Sequence, residues 1–240
     1  MAQPVVVQGE VKARKACTSN FMHETIAHNL NRIRSRIAAA AERAGRNPDA
    51  IRIIAVTKTV ALAEVLALYD LGARDFGENR VESAREKIIA APPDIRWHHI
   101  APVQTRKARE IVALFRTVDA IDRIKAAEAL QRRCEEQDKT LETLMEVNVS
   151  GEASKHGFVP ESLKDALREM APFDRLRVTG LMTMAPFDAP EALLRRCFRT
   201  LNSLCDDTGL PERSMGMTDD FELAVEEGST QVRIGRALFV

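Results

Sequence analysis

Aromatic residues are scarce in this 240-residue chain, with one tryptophan, one tyrosine and nine phenylalanines, so aliphatic side chains must build most of the core. Cysteine is scarcer: Cys17, Cys134, Cys197 and Cys205 form no Cys-x-x-Cys pair and no zinc-ligand spacing. Thiols scattered in this way are expected to be reduced and mostly buried, in a cytoplasmic protein. The five histidines form no ligand motif, and the adjacent His98 and His99 would face opposite ways in a strand, so no metal is expected. Charge of neither sign is in excess, 35 basic residues against 35 acidic, which excludes an overall field for nucleic acid or an anionic membrane. No apolar run approaches the roughly 18 residues that a membrane span requires. A secretory leader is not expected either, because the short apolar patch Pro4–Val7 precedes Lys12, Arg14 and Lys15 instead of following a charged start. Residues 1–19 are expected to form a disordered arm, with Met22 as an alternative start.

What is present is rhythm. Ile26, Leu30, Ile33 and Ile37 recur at helical spacing, predicting a first helix from about Asn20 to Ala44 that Gly45 and Pro48 end. After it, strands are predicted at 52–56, 74–76, 96–100, 117–121, 143–149, 176–182, 213–217 and 231–234. Helical patterns fall between them, over 62–71, 80–90, 104–114, 124–137, from Pro160, 189–207 and 219–226. Eight short strands alternating with helices fit an α/β fold, a single (β/α)8 TIM-type barrel with an extra N-terminal helix. A doubly wound sheet is the alternative. No Pro/Gly/Ser-rich linker divides the chain, so 20–240 read as one domain.

Ligands of such barrels bind at the carboxyl ends of the strands. Lys58 ends the apolar run Ile51–Thr57 there, and a lysine with a lowered ammonium pKa can carry a Schiff base. Phe76-Gly77-Glu78-Asn79 follows strand two, either as a ligand-facing segment or as a tight turn with Asn79 near a helix start. The loops after strands seven and eight are a recurrent phosphate site of the fold. Here they carry Ser214, Gly216 and Gly235. Arg233, inside strand eight, either points to the mouth, where it would keep a ring nitrogen unprotonated, or forms a surface ion pair with Glu226 or Glu227.

The segments Ala55-Val-Thr-Lys58-Thr, Phe76-Gly-Glu-Asn79-Arg, Asn148 to Phe158, Gly180 to Pro186, Ser214 to Asp220 and Gly228 to Gly235 together resemble the YggS/PROSC family of pyridoxal-phosphate homeostasis proteins. The match runs in order from Met22 to the C-terminus. That family resembles the barrel domain of bacterial alanine racemase, a fold-type III pyridoxal-phosphate barrel. The resemblance implies pyridoxal 5′-phosphate (PLP) as cofactor, held as a Schiff base on Lys58. It places Arg233 at the pyridine nitrogen, Asn79 near the ring, and Ser214, Gly216, Gly235 and the Arg236 backbone on the phosphate. One motif departs: Trp97-His-His-Ile-Ala101-Pro102-Val103-Gln104 stands where the family reads like Trp-His-Phe-Ile-Gly-His-Leu-Gln, which restricts the backbone at this loop.

Racemisation on such a barrel needs a second base, a tyrosine from a separate C-terminal β domain in the alanine-racemase pattern. This chain is expected to lack that domain, and its single tyrosine, Tyr69, falls in the helix after strand one. The expected function is PLP binding in intracellular vitamin B6 homeostasis without efficient catalysis, with apo PLP-dependent enzymes as transient recipients and a monomer or weak dimer as the assembly. The alternatives are a small fold-type III amino-acid racemase and a Schiff-base aldolase of the same fold, with Glu78 as a candidate second group.

Overall fold

A computed structural model of the chain describes residues 6–152 and 154–240, with side chains described from 21 onward. In chain order the elements are α1 (Val6–Arg43), β1 (Arg52–Val56), α2 (Leu62–Asp70), β2 (Asp75–Glu78), α3 (Val81–Ala90) and β3 (Arg96–His99). There follow α4 (Ala108–Leu114), β4 (Thr117–Ile121), α5 (Ile124–Glu136), β5 (Leu141–Glu146) and α6 (Leu163–Met170). The chain ends with β6 (Leu176–Met182), α7 (Glu191–Thr208), β7 (Glu212–Ser214), α8 (Phe221–Glu226), β8 (Gln231–Ile234) and a 3-10 turn over Arg236–Leu238.

The eight strands are parallel, neighbours in sequence pair in order, and β1 closes on β8 through Arg52↔Gln231 to Ala55↔Ile234. This is the (β/α)8 barrel that the alternation implied. Most of the core lies between the strands and their helices, where Phe76, Leu68, Ile111, Leu130, Phe198 and Phe221 are fully enclosed. Cys134, Cys197 and Cys205 are free and buried, and burial raises each thiol above its ordinary pKa.

Four departures from the sequence expectations have local causes. Helix α1 runs back to Val6, into the segment expected as a disordered arm; no glycine or proline interrupts it between Glu10 and Ala44. Of the expected arm, residues 1–5 lie outside the described residues, as does the Cys17 side chain. Strand β5 ends at Glu146 because Asn148 starts a turn, its Oδ1 accepting from the Gly151 N–H and from Ser150 Oγ. Gly157 packs against that turn, where a Cβ would stand 2.8 Å from the Glu146 carbonyl oxygen. Strand β7 stops at Ser214 because Gly216 takes a φ of 94° and leaves the sheet. Gly77 and Glu78, one reading of which was a tight turn, are strand residues of β2.

Helix α1 buckles the closure. Ile26, Leu30, Ile33 and Ile37 face the core as their spacing required. Arg36 pairs with Glu222 at 2.9 Å, Arg43 pairs with Glu226, and Asn29 donates to the Leu238 and Val240 carbonyls. The first and last elements of the barrel are thus tied by one helix.

Inside the barrel the amino ends of the strands are polar. Arg52 pairs with Glu212 at 3.0 Å, Arg96 with Asp75 at 3.5 Å, and Arg177 with Glu142. All of these charges but Asp75 line a cavity of about 290 Å³, and they alternate in sign around much of the ring. They plug the end of the barrel opposite Lys58.

Candidate functional site

Beyond Val56 the chain passes through buried Thr57 to Lys58, which therefore stands at the C-terminal mouth next to β8. The Lys58 side chain is exposed and makes no hydrogen bond or ion pair among the described residues. Thr57 beneath it is tightly held. Its N–H donates to the Gly77 carbonyl at 3.0 Å, its Oγ1 donates to Glu78 Oε1 at 2.7 Å, and its carbonyl accepts from Lys87 Nζ at 2.7 Å.

Arg233 is buried in β8. Its Nη1 donates to Ser214 Oγ at 2.6 Å, its Nη2 to the Thr183 carbonyl at 2.9 Å, and its backbone N–H to the Gly216 carbonyl at 3.0 Å. Burial pulls the guanidinium below its ordinary pKa against the attraction of Asp119, Asp220 and Glu146. None of these carboxylates pairs with it directly among the described residues. The alternative of a surface ion pair is corrected: Glu226 is taken by Arg43 and Arg195, and Glu227 by Arg195 and Arg199.

Hydrogen bonds therefore join Ser214, Gly216 and Arg233 into one cluster. Gly235 joins it through β8 and lies over Val56 of β1. Exposed Arg236 opens the 3-10 turn, whose first N–H groups have no acceptor within the turn. The two glycines differ in what they require. A Cβ on Gly216 would stand 2.6 Å from Ala224 Cβ, so packing of the loop on α8 alone demands glycine there. A Cβ on Gly235 would meet nothing closer than Val56 Cβ at 3.8 Å, leaving an open cradle above the backbone. Asn79 is half-buried just past β2, and borders a cleft of about 40 Å³ with His99, Pro102 and Gln104. The side chains of Lys58 and Asn79 make no hydrogen bond to the Ser214–Arg233 cluster among the described residues.

The departing loop is pinned rather than loose: Val103 is buried in the core, and its carbonyl accepts from Arg123 Nη2 at 2.8 Å. Arg123 also holds Asp122, whose other contact is His156 Nδ1 at 3.3 Å. Nearby Glu146 keeps one buried oxygen, Oε2, without a partner. Burial, then Asp122, raises its carboxyl pKa, against Arg233 and His156.

Sequence reasoning missed the polar groups that lie under the mouth. His98 bridges Asp119 Oδ2 at 2.9 Å and Asp75 Oδ1 at 3.1 Å inside the barrel. His99, facing out, packs edge-on against Phe115 with centroids 5.2 Å apart. Burial lowers both imidazoles, but Asp119 and then Asp75 outweigh it at His98, which rises to about 9, while His99 falls to about 4. The signal was polar residues at every second position of short strands, such as Arg96 and His98 or Thr117 and Asp119, which marks a polar barrel interior.

These shifts set a pH profile. The His98 contribution is complete below the ordinary 6.5 and is lost as pH rises to about 9. The His99 contribution is complete above 6.5 and is lost as pH falls to about 4. Urea midpoints measured across this range are expected to peak near neutrality, with the alkaline arm flattened in His98→Gln. A midpoint that rises steadily through the alkaline range would contradict the His98 assignment.

The comparisons with known proteins meet this geometry. Residues 26–240 match the family described as the alanine racemase N-terminal domain. The chain is 40% identical over 219 residues to the pyridoxal phosphate homeostasis protein of Pseudomonas aeruginosa, covering 90% of this chain and 95% of the relative. The chain belongs to that family. Its relative in Aquifex aeolicus, of the same name, is 36% identical over 88% of this chain and 95% of its own length. Among solved structures, PipY of Synechococcus elongatus with PLP bound superposes with a TM-score of 0.77 at 30% identity, covering 90% of this chain and all of PipY. Without PLP the TM-score is 0.81. An alanine racemase of Clostridium difficile shares the fold alone, with a TM-score of 0.70 at 13% identity over 90% of this chain and 56% of its own.

Proposed function

We propose that this chain binds pyridoxal 5′-phosphate at the C-terminal mouth, captures it on Lys58 and serves intracellular PLP homeostasis without efficient catalysis. The observation that carries the reading is that an exposed lysine just past β1, unpartnered among the described residues, stands at the mouth where neighbouring β8 and β7 carry the buried Arg233–Ser214 cluster. The homeostasis relatives and PLP-bound PipY support it.

The residues present fit the group. Arg233 carries five N–H donors and commits two nitrogens to neutral acceptors, so donors remain for a ring nitrogen. A permanently charged guanidinium there disfavours a second positive charge on that nitrogen. Gly235 leaves a cradle in which a phosphate can approach the backbone, and the Arg236 N–H that follows has no acceptor within its turn; in this reading Ser214 also serves the phosphate. In this reading Gly216 shapes the loop, and Asn79 stands near the ring. The cofactor supplies an aldehyde that a free amine captures reversibly with loss of water. Lys58 provides that amine, and its exposure lets water or an incoming amine reach the same carbon, as release to an apo-enzyme requires.

Racemisation would need a second base on the far side of the substrate carbon. Tyr69 is committed elsewhere: its hydroxyl donates to Asp94 at 2.7 Å and Arg74 stacks on its ring, beside the amino ends of β2 and β3. That is the end of the barrel opposite Lys58. The reading is tested by loading purified protein with PLP and assaying alanine and serine turnover beside the visible spectrum. A coloured protein whose absorption is absent in Lys58→Ala, with no measurable turnover, is expected. Lys58-dependent racemisation at ordinary enzyme rates would replace this reading with the racemase.

A further inference from the structure

Lys58 has no side-chain partner among the described residues, yet the peptide unit that leads into it is held on both sides. Glu78 is fully buried at the end of β2, and Lys87 reaches it from α3 with Nζ 2.6 Å from Oε1. The same Nζ donates to the Thr57 carbonyl at 2.7 Å, and Thr57 Oγ1 donates to the same Glu78 oxygen at 2.7 Å. The Thr57 carbonyl belongs to the peptide unit that leads into Lys58. Holding it together with the Thr57 N–H, which donates to the Gly77 carbonyl, fixes the plane of that unit and hence the direction in which the Lys58 side chain leaves the backbone.

A stabilising role alone explains this arrangement poorly. A buried ion pair roughly offsets its own desolvation, and an apolar pair of the same volume commonly does as well. Glu78 also keeps its Oε2 buried without a partner, a cost that an apolar residue would not carry. The two charges instead converge on one threonine, by side chain and by main chain. Charge-assisted bonds to a main-chain carbonyl restrict geometry more than neutral ones do.

We propose that Thr57, Glu78 and Lys87 form a positioning clamp for Lys58, holding its amine where the aldehyde of a phosphate-anchored ligand arrives. This rests on the proposed function, since it concerns how well Lys58 captures PLP. No hydrogen bond or ion pair joins the clamp to the Arg233–Ser214 cluster among the described residues, so covalent capture and non-covalent binding should separate when the clamp is broken.

The test titrates PLP and 4′-deoxypyridoxine 5′-phosphate, which has no aldehyde, into the unaltered chain, Lys87→Met, Thr57→Val and Lys87→Arg. Amide hydrogen exchange at Lys58 is followed in the ligand-free proteins. Loss of one charge-assisted bond is expected to weaken PLP capture about tenfold in Lys87→Met and Thr57→Val, while binding of the deoxy analogue stays within about twofold. Exchange at the Lys58 amide should quicken, and Lys87→Arg should recover part of the capture. If Lys87→Met does not fold, Thr57→Val, which conserves shape, carries the test. Equal weakening of both ligands, or no weakening of either, would overturn the clamp. Failure of the unaltered chain to capture PLP on Lys58 would instead overturn the proposed function beneath it.

Discussion

Arg233→Glu is expected to cost about 3–5 kcal/mol of folding stability, the range for leaving an uncompensated charge in a buried site. Read from the sequence alone, this substitution alters a ring nitrogen at the edge of an otherwise intact site. The structure makes the consequence larger. Position 233 is 5% exposed, and Asp119, Asp220 and Glu146 all bear on it. A glutamate would add a fourth carboxylate to this group and remove the donors that hold Ser214 Oγ and the Thr183 carbonyl. Arg233→Gln keeps donors without the repulsion, so it should lose less stability while still weakening PLP binding. Urea unfolding of the two variants checks the stability difference, and equal midpoints would mean that the three carboxylates do not sense position 233.

The second large effect lies one layer below. His98→Leu should also cost about 3–5 kcal/mol, because it leaves Asp119 and Asp75 without the proton-carrying ring between them. Among the described residues His98 is the only hydrogen-bond partner of Asp119, at 2.9 Å, and Asp119 is itself buried. Adding Asp119→Asn to His98→Leu should recover part of the loss, and a double-mutant cycle measures how much. Because Asp119 also bears on Arg233, the histidine variant is expected to weaken PLP binding without touching the mouth. Unchanged stability in His98→Leu would show that the ring is neutral in the folded chain.

Much of this architecture was legible as local pattern. The strands at 52–56, 117–121, 176–182 and 231–234 have the bounds that the sequence pattern predicts. The shifts at β5 and β7 came from turn chemistry at Asn148 and from the positive φ of Gly216, which a continuing apolar pattern conceals. Helix α1 begins at Val6 and not near Asn20, since no glycine or proline lies between Glu10 and Ala44.

The candidate site divides the same way. Lys58, Ser214 and Gly235 stood out because a lysine at a strand end and small residues in the last two loops fall where this fold places its ligands, while Arg233 kept two readings until the barrel closed. The groups beneath them did not. Thr57, Glu78 and Lys87 come from β1, β2 and α3, and only closure of the barrel brings one carboxylate and one ammonium onto the same threonine. Asp75, His98 and Asp119 likewise belong to three successive strands. Such contacts are set by register across the sheet, which a single strand's sequence does not state.

Lys58 is the residue proposed to capture PLP. Borohydride reduction of the PLP-loaded protein, followed by digestion and mapping of the labelled peptide, tests it most directly. One dominant label is expected on Lys58, in the peptide containing Ala55-Val-Thr-Lys58-Thr, with its loss in Lys58→Ala. A dominant label on any other lysine, or label of equal yield in Lys58→Ala, would contradict it.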